Sequence, residues 1–160
     1  MPYREVTPTR ADVAEHVAVD KGVVVGDDGS TPAARAMLWA AEDALRRMAP
    51  LQVVRAWTGA TIGRLPEWSA TFIPTREEMQ ESARAALERH VERVLGTPIG
   101  LDLRVQVVHG PAAQVLIEAS HAAECLVIGA SGQRHRGEAA LGTTAEACLR
   151  HATCPVVVLR

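Results

Sequence analysis

Gly22-Val-Val-Val-Gly26-Asp-Asp-Gly-Ser30 is a short, unbroken run of branched apolar residues that stops in a cluster of glycine, aspartate and serine. Such a run reads as a strand buried on both faces, and such an ending reads as a tight turn into a helix. The same arrangement returns at Cys125-Leu-Val-Ile-Gly129-Ala-Ser-Gly132. Two strands of this kind belong at the centre of a parallel sheet covered on both sides.

Three further runs surround them: Leu51-Gln-Val-Val-Arg-Ala-Trp57, Leu101-Asp-Leu-Arg-Val-Gln-Val-Val108 and Pro155-Val-Val-Val-Leu159. In the run starting at Leu101, Asp102, Arg104 and Gln106 share one face, as expected of an edge strand with a wetter side. Helix-period segments lie between the runs. Ala34, Met37, Leu38, Ala41, Leu45 and Met48 recur at steps of three and four behind Pro32, which suits a first helical turn. Thr75 and Glu78 form a capping box ahead of the stripe Met79, Ala83, Leu87, Val91 and Val94. Pro111 and Thr143 or Thr144 open the remaining helices. Strands alternating with helices predict an α/β fold with five parallel strands and crossover helices.

At 160 residues the chain suits one domain. Residues 1–20 lack periodicity and read as a flexible extension, with a single domain over 21–160. Apolar residues make up 48% and charged residues 22%, an ordinary globular balance, and the net charge of -2 offers no broad positive field for nucleic acid. Cys125, Cys148 and Cys154 form no CxxC pair, which argues against a disulfide framework and for a reducing compartment. No membrane-length apolar stretch or apolar signal core is present, so a cytoplasmic location without membrane contact is expected. Residues 58–74 carry Gly59, Gly63, Pro66, Trp68 and Pro74 without a period, a length typical of lids and binding segments.

Ligands of open parallel sheets bind beyond the carboxyl ends of the strands, where the winding direction reverses. Both central runs end there in small residues. Gly142-Thr143 immediately precedes a helix, whose free N–H groups and positive dipole end suit an anion. Gly132 is expected to take positive φ and let the backbone approach phosphate oxygens, while Ser131, Thr143 and Thr144 add hydroxyl donors or a ligand for hydrated Mg²⁺. The pattern is neither a Walker loop nor a GxGxxG turn. His109, His135 and His151 have no metal-ligand spacing, and no GxSxG elbow occurs.

Gly129-x2-Gly132-x9-Gly142-Thr143 resembles the G-x2-G-x9-G-(S/T) pattern of the ATP-binding branch of the universal stress protein family. Val25-Gly-Asp-Asp-Gly-Ser30, Val54-Arg-Ala-Trp57, Val108-His-Gly-Pro-Ala112 and His151-Ala-Thr-Cys-Pro-Val-Val-Val158 extend the resemblance over residues 21–160. It implies a three-layer doubly wound sandwich of the adenine nucleotide alpha-hydrolase-like, Rossmann-like type, with strand order 3-2-1-4-5. It also implies ATP, or another adenine nucleotide, bound with Mg²⁺ between the first and fourth strands. There Gly26 and Asp28 approach the ribose, Ala56 borders the adenine, and Gly129, Ser131, Gly132, Gly142, Thr143 and Thr144 surround the phosphates.

The resemblance further implies a homodimer in stress response or signalling, here expected to pair through Pro155–Leu159. No enzyme is implied beyond slow, incidental ATP hydrolysis, because no P-loop Lys or assigned base is present. The alternative is a nucleotide-free interaction module of the same fold. Two departures bear on this choice. Asp27 replaces an apolar residue usual in the family and would repel phosphate if it faced the pocket. Arg134-His135-Arg136 stands where small residues are common and either clamps phosphate or projects into solvent.

Overall fold

A computed structural model describes residues 9–62, 72–132 and 140–160. The strands are β1 (Asp12–Ala14), β2 (Val23–Gly26), β3 (Leu51–Trp57), β4 (Leu103–His109), β5 (Cys125–Gly129) and β6 (Val156–Leu159). The helices are α1 (Thr31–Arg47), α2 (Arg76–Leu95), α3 (Ala112–Ser120) and α4 (Thr143–His151). All strands are parallel, in the order β1-β4-β3-β2-β5-β6. The five expected strands thus lie in the expected order, with β2 and β5 central.

The sheet has six strands rather than five. Asp12–Ala14, which the sequence reading left inside an extension, runs parallel to β4 with Val13 opposite Val107. Gln106 explains the docking: its side chain is buried, donates to the Ala18 carbonyl at 2.9 Å and accepts from the Ala18 N–H at 2.9 Å. The Ala11 N–H also donates to Glu88 of α2 at 2.8 Å. β4 is therefore not an edge, and the polar face that suggested one holds this arm. Residues 1–8 lie outside the described set.

Strand alternation divides the core in two. Val23, Val25, Val53 and Val107 face Ala36 and Met37 of α1 and Leu87 of α2 on one side. On the other, Val24, Val54, Val108, Leu126 and Ile128 face Leu116 of α3 and Cys148 of α4. The layers are those of a three-layer sandwich.

The buried stripe of α1 differs from the expected one. Ala33, Ala36, Met37, Ala40, Ala41 and Ala44 are buried, whereas Leu38, Leu45 and Met48 are exposed. The helix packs on β2 and β5 through this alanine-rich face, on which Met37 is fully buried, and the leucines fall at exposed positions. α2 follows expectation. Thr75 and Glu78 complete the capping box, and Ala83, Leu87 and Val91 are buried with His90 among them. Among the described residues no helix is long and apolar enough to cross a membrane.

Candidate nucleotide-binding crevice

The winding direction reverses between β2 and β5, and the sequence-predicted residues gather at the carboxyl ends of these strands. Gly26 is the last residue of β2, and Asp28 follows in the exposed turn to α1. Its Oδ1 accepts the Ser30 N–H at 2.9 Å. Ser30 in turn caps α1 by accepting the Ala33 N–H at 3.3 Å, so one short turn sets both the carboxylate and the helix start. Gly29 within it has φ +81°, a left-handed conformation open to glycine at little cost.

The loop after β5 meets this turn. A Cβ added at Gly132 would lie 2.5 Å from Asp28 Oδ2, so the bare backbone at 132 is what admits the carboxylate. Gly129, at the end of β5, serves the frame: a Cβ there would lie 2.9 Å from the Pro32 side chain and 3.0 Å from its carbonyl carbon, in the first turn of α1.

Gly142 is the N-cap of α4, and its N–H donates to the Ala130 carbonyl at 2.7 Å. This bond brings the second and third glycines of the motif together: the Cβ position of Gly142 is 3.7 Å from the Gly132 nitrogen and 3.5 Å from the Ser131 Cα. Thr143 and Thr144 form the first turn of α4, whose start has no side-chain cap among the described residues. The uncapped N-terminus of α4 and the half-buried Ser131 present N–H and hydroxyl donors at the end of the sheet, which suits an anion.

Positive φ is not what these glycines supply. Gly142 has φ −69° and ψ 158°, and Gly132 is not in the left-handed region either. At Gly132 the requirement is for space beside Asp28. Ala56 lies near the end of β3 opposite Val108, half-buried on the α3–α4 side, and its single methyl leaves that wall flat. Trp57, one residue on, faces the opposite layer. It is buried against the α1–α2 core with its ring edge-on to His109, centroids 4.6 Å apart, so it is a core residue and not a base-stacking platform. Residues 63–71 of the proposed lid, Trp68 among them, lie outside the described residues, as do Arg134, His135 and Arg136.

Asp27 does not face the crevice. Its side chain is fully buried on the α1–α2 side. Oδ2 accepts from Arg55 Nε at 3.0 Å and from Arg55 Nη2, while Oδ1 takes His90 Nδ1 at 2.6 Å and the Gly29 N–H at 3.2 Å. Burial by itself would push the Asp27 carboxyl up. The His90 hydrogen bond and the nearby Arg55 charge outweigh it and hold the group below the usual aspartate value. An ionised carboxylate only accepts, which places a proton on His90 Nδ1. The repulsion of phosphate expected if Asp27 faced the pocket is therefore removed, because its charge is paired and points away. The signals missed in the sequence were Arg55 inside a buried strand and His90 inside an apolar helix stripe.

A model of the universal stress protein family matches residues 21–160. A universal stress protein of Mycolicibacterium smegmatis is 29% identical over 143 residues, which cover 89% of this chain and 49% of the relative. One of Mycobacterium tuberculosis is 31% identical over 140 residues, covering 88% of this chain and 48% of the relative. The chain spans about half the length of the curated relatives it matches. Among solved structures, a universal stress protein in complex with cAMP is similar with a TM-score of 0.61 at 22% identity, covering 89% of this chain and 98% of that one. Another, from Archaeoglobus fulgidus in complex with dAMP, gives 0.59 at 22% identity, covering 89% and 100%.

Proposed function

Because this chain belongs to the universal stress protein family, we propose that it binds an adenine nucleotide, ATP with Mg²⁺, in the crevice between β2 and β5. In this reading it acts as a homodimeric stress or signalling protein in the cytoplasm and not as an enzyme. The observation that carries the reading is the meeting of Asp28, Gly132, Gly142 and the start of α4 at the point where the sheet reverses direction. Two proteins of similar fold were solved with cAMP and with dAMP bound, which supports an adenine nucleotide as the ligand class.

The roles follow from the chemistry of each position. Asp28 suits the ribose, since a carboxylate accepts from sugar hydroxyls and repels phosphate. Ala56 leaves room for the nucleoside on the α3–α4 side, whereas the space over Gly26 is taken by Leu116, 2.7 Å from where a Cβ would lie, so Gly26 serves the packing of α3 on β2. Ser131, Gly132, Gly142, Thr143 and Thr144 suit the phosphates, through backbone N–H groups, hydroxyls and the α4 dipole. Gly129 contributes by letting α1 close on β5. Among the described residues no cluster of three or more His, Cys, Asp or Glu is placed to hold a metal ion, so Mg²⁺ would arrive with the phosphates. The sequence has no P-loop lysine, its single lysine being Lys21 ahead of β2, so any hydrolysis is expected to be slow.

Calorimetric titration with ATP and Mg²⁺ tests the assignment. Asp28→Ala should weaken binding by about 1.5 to 3 kcal/mol, the range for a hydrogen bond to a charged group. Gly132→Val should abolish it, because the branched side chain must displace the Asp28 carboxylate. Undiminished affinity in a folded Gly132→Val protein would refute the phosphate-loop role. Failure of the wild type to bind any adenine nucleotide would leave the nucleotide-free interaction module.

A further inference from the structure

We propose that Asp27 is a positioning residue for the nucleotide site: clamped by Arg55 of β3 and His90 of α2, it holds the turn 27–30 so that Asp28 faces the crevice. The inference rests on the nucleotide reading above and adds three residues which that reading does not use.

The carboxylate of Asp27 is filled from every side. Arg55 occupies Oδ2 through two nitrogens, while His90 Nδ1 at 2.6 Å and the Gly29 N–H at 3.2 Å share Oδ1. The Asp27 N–H donates to the Val54 carbonyl at 2.9 Å, which continues the β2–β3 ladder one residue past the strand. One residue thus ties together β2, β3, α2 and the first amide of the following turn. A buried charge keeps its place only while its partners keep theirs, since loss of one leaves the others buried and unpaired. The arrangement therefore has a single geometry.

Geometry at the strand end transmits this to Asp28. Successive residues of extended chain point to opposite faces. Val25 and Asp27 lie on the α1–α2 side, and with Asp27 fixed there Asp28 is directed to the other side, where Gly132 stands beside its carboxylate. The Gly29 N–H, held by Asp27, adds a second constraint to the left-handed glycine that turns the chain into α1. Asp27 touches no part of the crevice and works entirely through its neighbour.

Two measurements on the full chain decide the matter. The first is hydrogen exchange of the Gly29 and Ser30 amides without nucleotide. The second is ATP–Mg²⁺ affinity with and without Asp28→Ala. In Asp27→Val/Arg55→Met, which removes both charges together, Gly29 should exchange at least about tenfold faster, as expected when a protected amide gains local opening. The Asp28→Ala penalty, about tenfold or more in the wild type, should shrink to less than about threefold in that background, the sign of coupled residues. His90→Leu should move both readouts in the same direction. His90→Asn, whose amide can replace the Nδ1 donor, should restore them, and it keeps the test open should the double variant not fold.

Equal Gly29 exchange in wild type and His90→Leu, or an unchanged Asp28→Ala penalty in every background, would overturn the proposal. A wild type that protects Gly29 but binds no adenine nucleotide would sink the nucleotide reading and leave the control of the turn standing.

Discussion

Asp27 has a further consequence that does not involve ligand. Its carboxyl is held below the ordinary 3.8 because the His90 hydrogen bond and the Arg55 charge together exceed the effect of burial. A group whose pKa is lower folded than unfolded contributes stability that is fully present above the unfolded value and lost as the pH falls through the folded one. Asp27→Asn should therefore destabilise the protein at pH 7, by about 3 to 5 kcal/mol, since it leaves Arg55 buried without its counter-charge. The gap to wild type should narrow as the pH drops below 3.8. Urea unfolding at pH 7 and pH 3 measures both, and a gap that does not change with pH would show that the charge of Asp27 is not what stabilises the fold.

Helix ends and helix faces show where local chemistry governs and where it yields. Thr75 and Glu78 cap α2 as their spacing predicts, because a capping box is closed by residues three apart. The C-terminus of α1 is less well made. Met48 sits in the left-handed region at φ 54° and ψ 41°, with its N–H donating to the Ala44 and Leu45 carbonyls and the residue 94% exposed. Glycine adopts this conformation without the Cβ penalty. Met48→Gly should raise stability by about 0.5 to 1 kcal/mol, the net of relieved strain over added chain entropy. A thermal midpoint that stays level or falls would show that Met48 carries no such strain. The same helix reverses the expected roles of its apolar residues: the alanines pack and Leu38 and Leu45 face outward. Hydrophobicity ranks leucine first, but the positions that the helix turns toward the sheet hold mainly alanine, with Met37 among them.

At the scale of the whole molecule the two sheet edges differ. β4 is covered by β1, locked by Gln106 and the Ala18 backbone, whereas among the described residues β6 pairs only with β5. Its residues Val156–Leu159 are half-buried, and an unpaired edge of branched apolar residues invites a second strand. A two-fold axis there would bring Val156, Val157 and Val158 against their own copies. We expect the protein to be a dimer at micromolar concentration by light scattering and Val157→Lys to be mostly monomer, because the substitution puts a charge on that seam. A wild-type monomer, or a Val157→Lys dimer as tight as the wild type, would place the association surface elsewhere.

The alternation of valine-rich runs with helix-period segments, the small residues ending the first and fourth runs, and the G-x2-G-x9-G spacing are all relations among near neighbours. From them the sequence alone determined the parallel α/β fold, its two central strands and the sheet ends where its candidate residues gather. The tertiary structure alone decided which charges are paired and which faces are wet. Asp27 meets Arg55 across 28 residues and His90 across 63, and Ala18 meets Gln106 across 88. Whether Asp27 repels a phosphate or holds the turn beside it depends on the side of the sheet to which it points and on what α2 brings there. Pairings of that range depend on the register and packing of elements distant in sequence, and no local pattern encodes them.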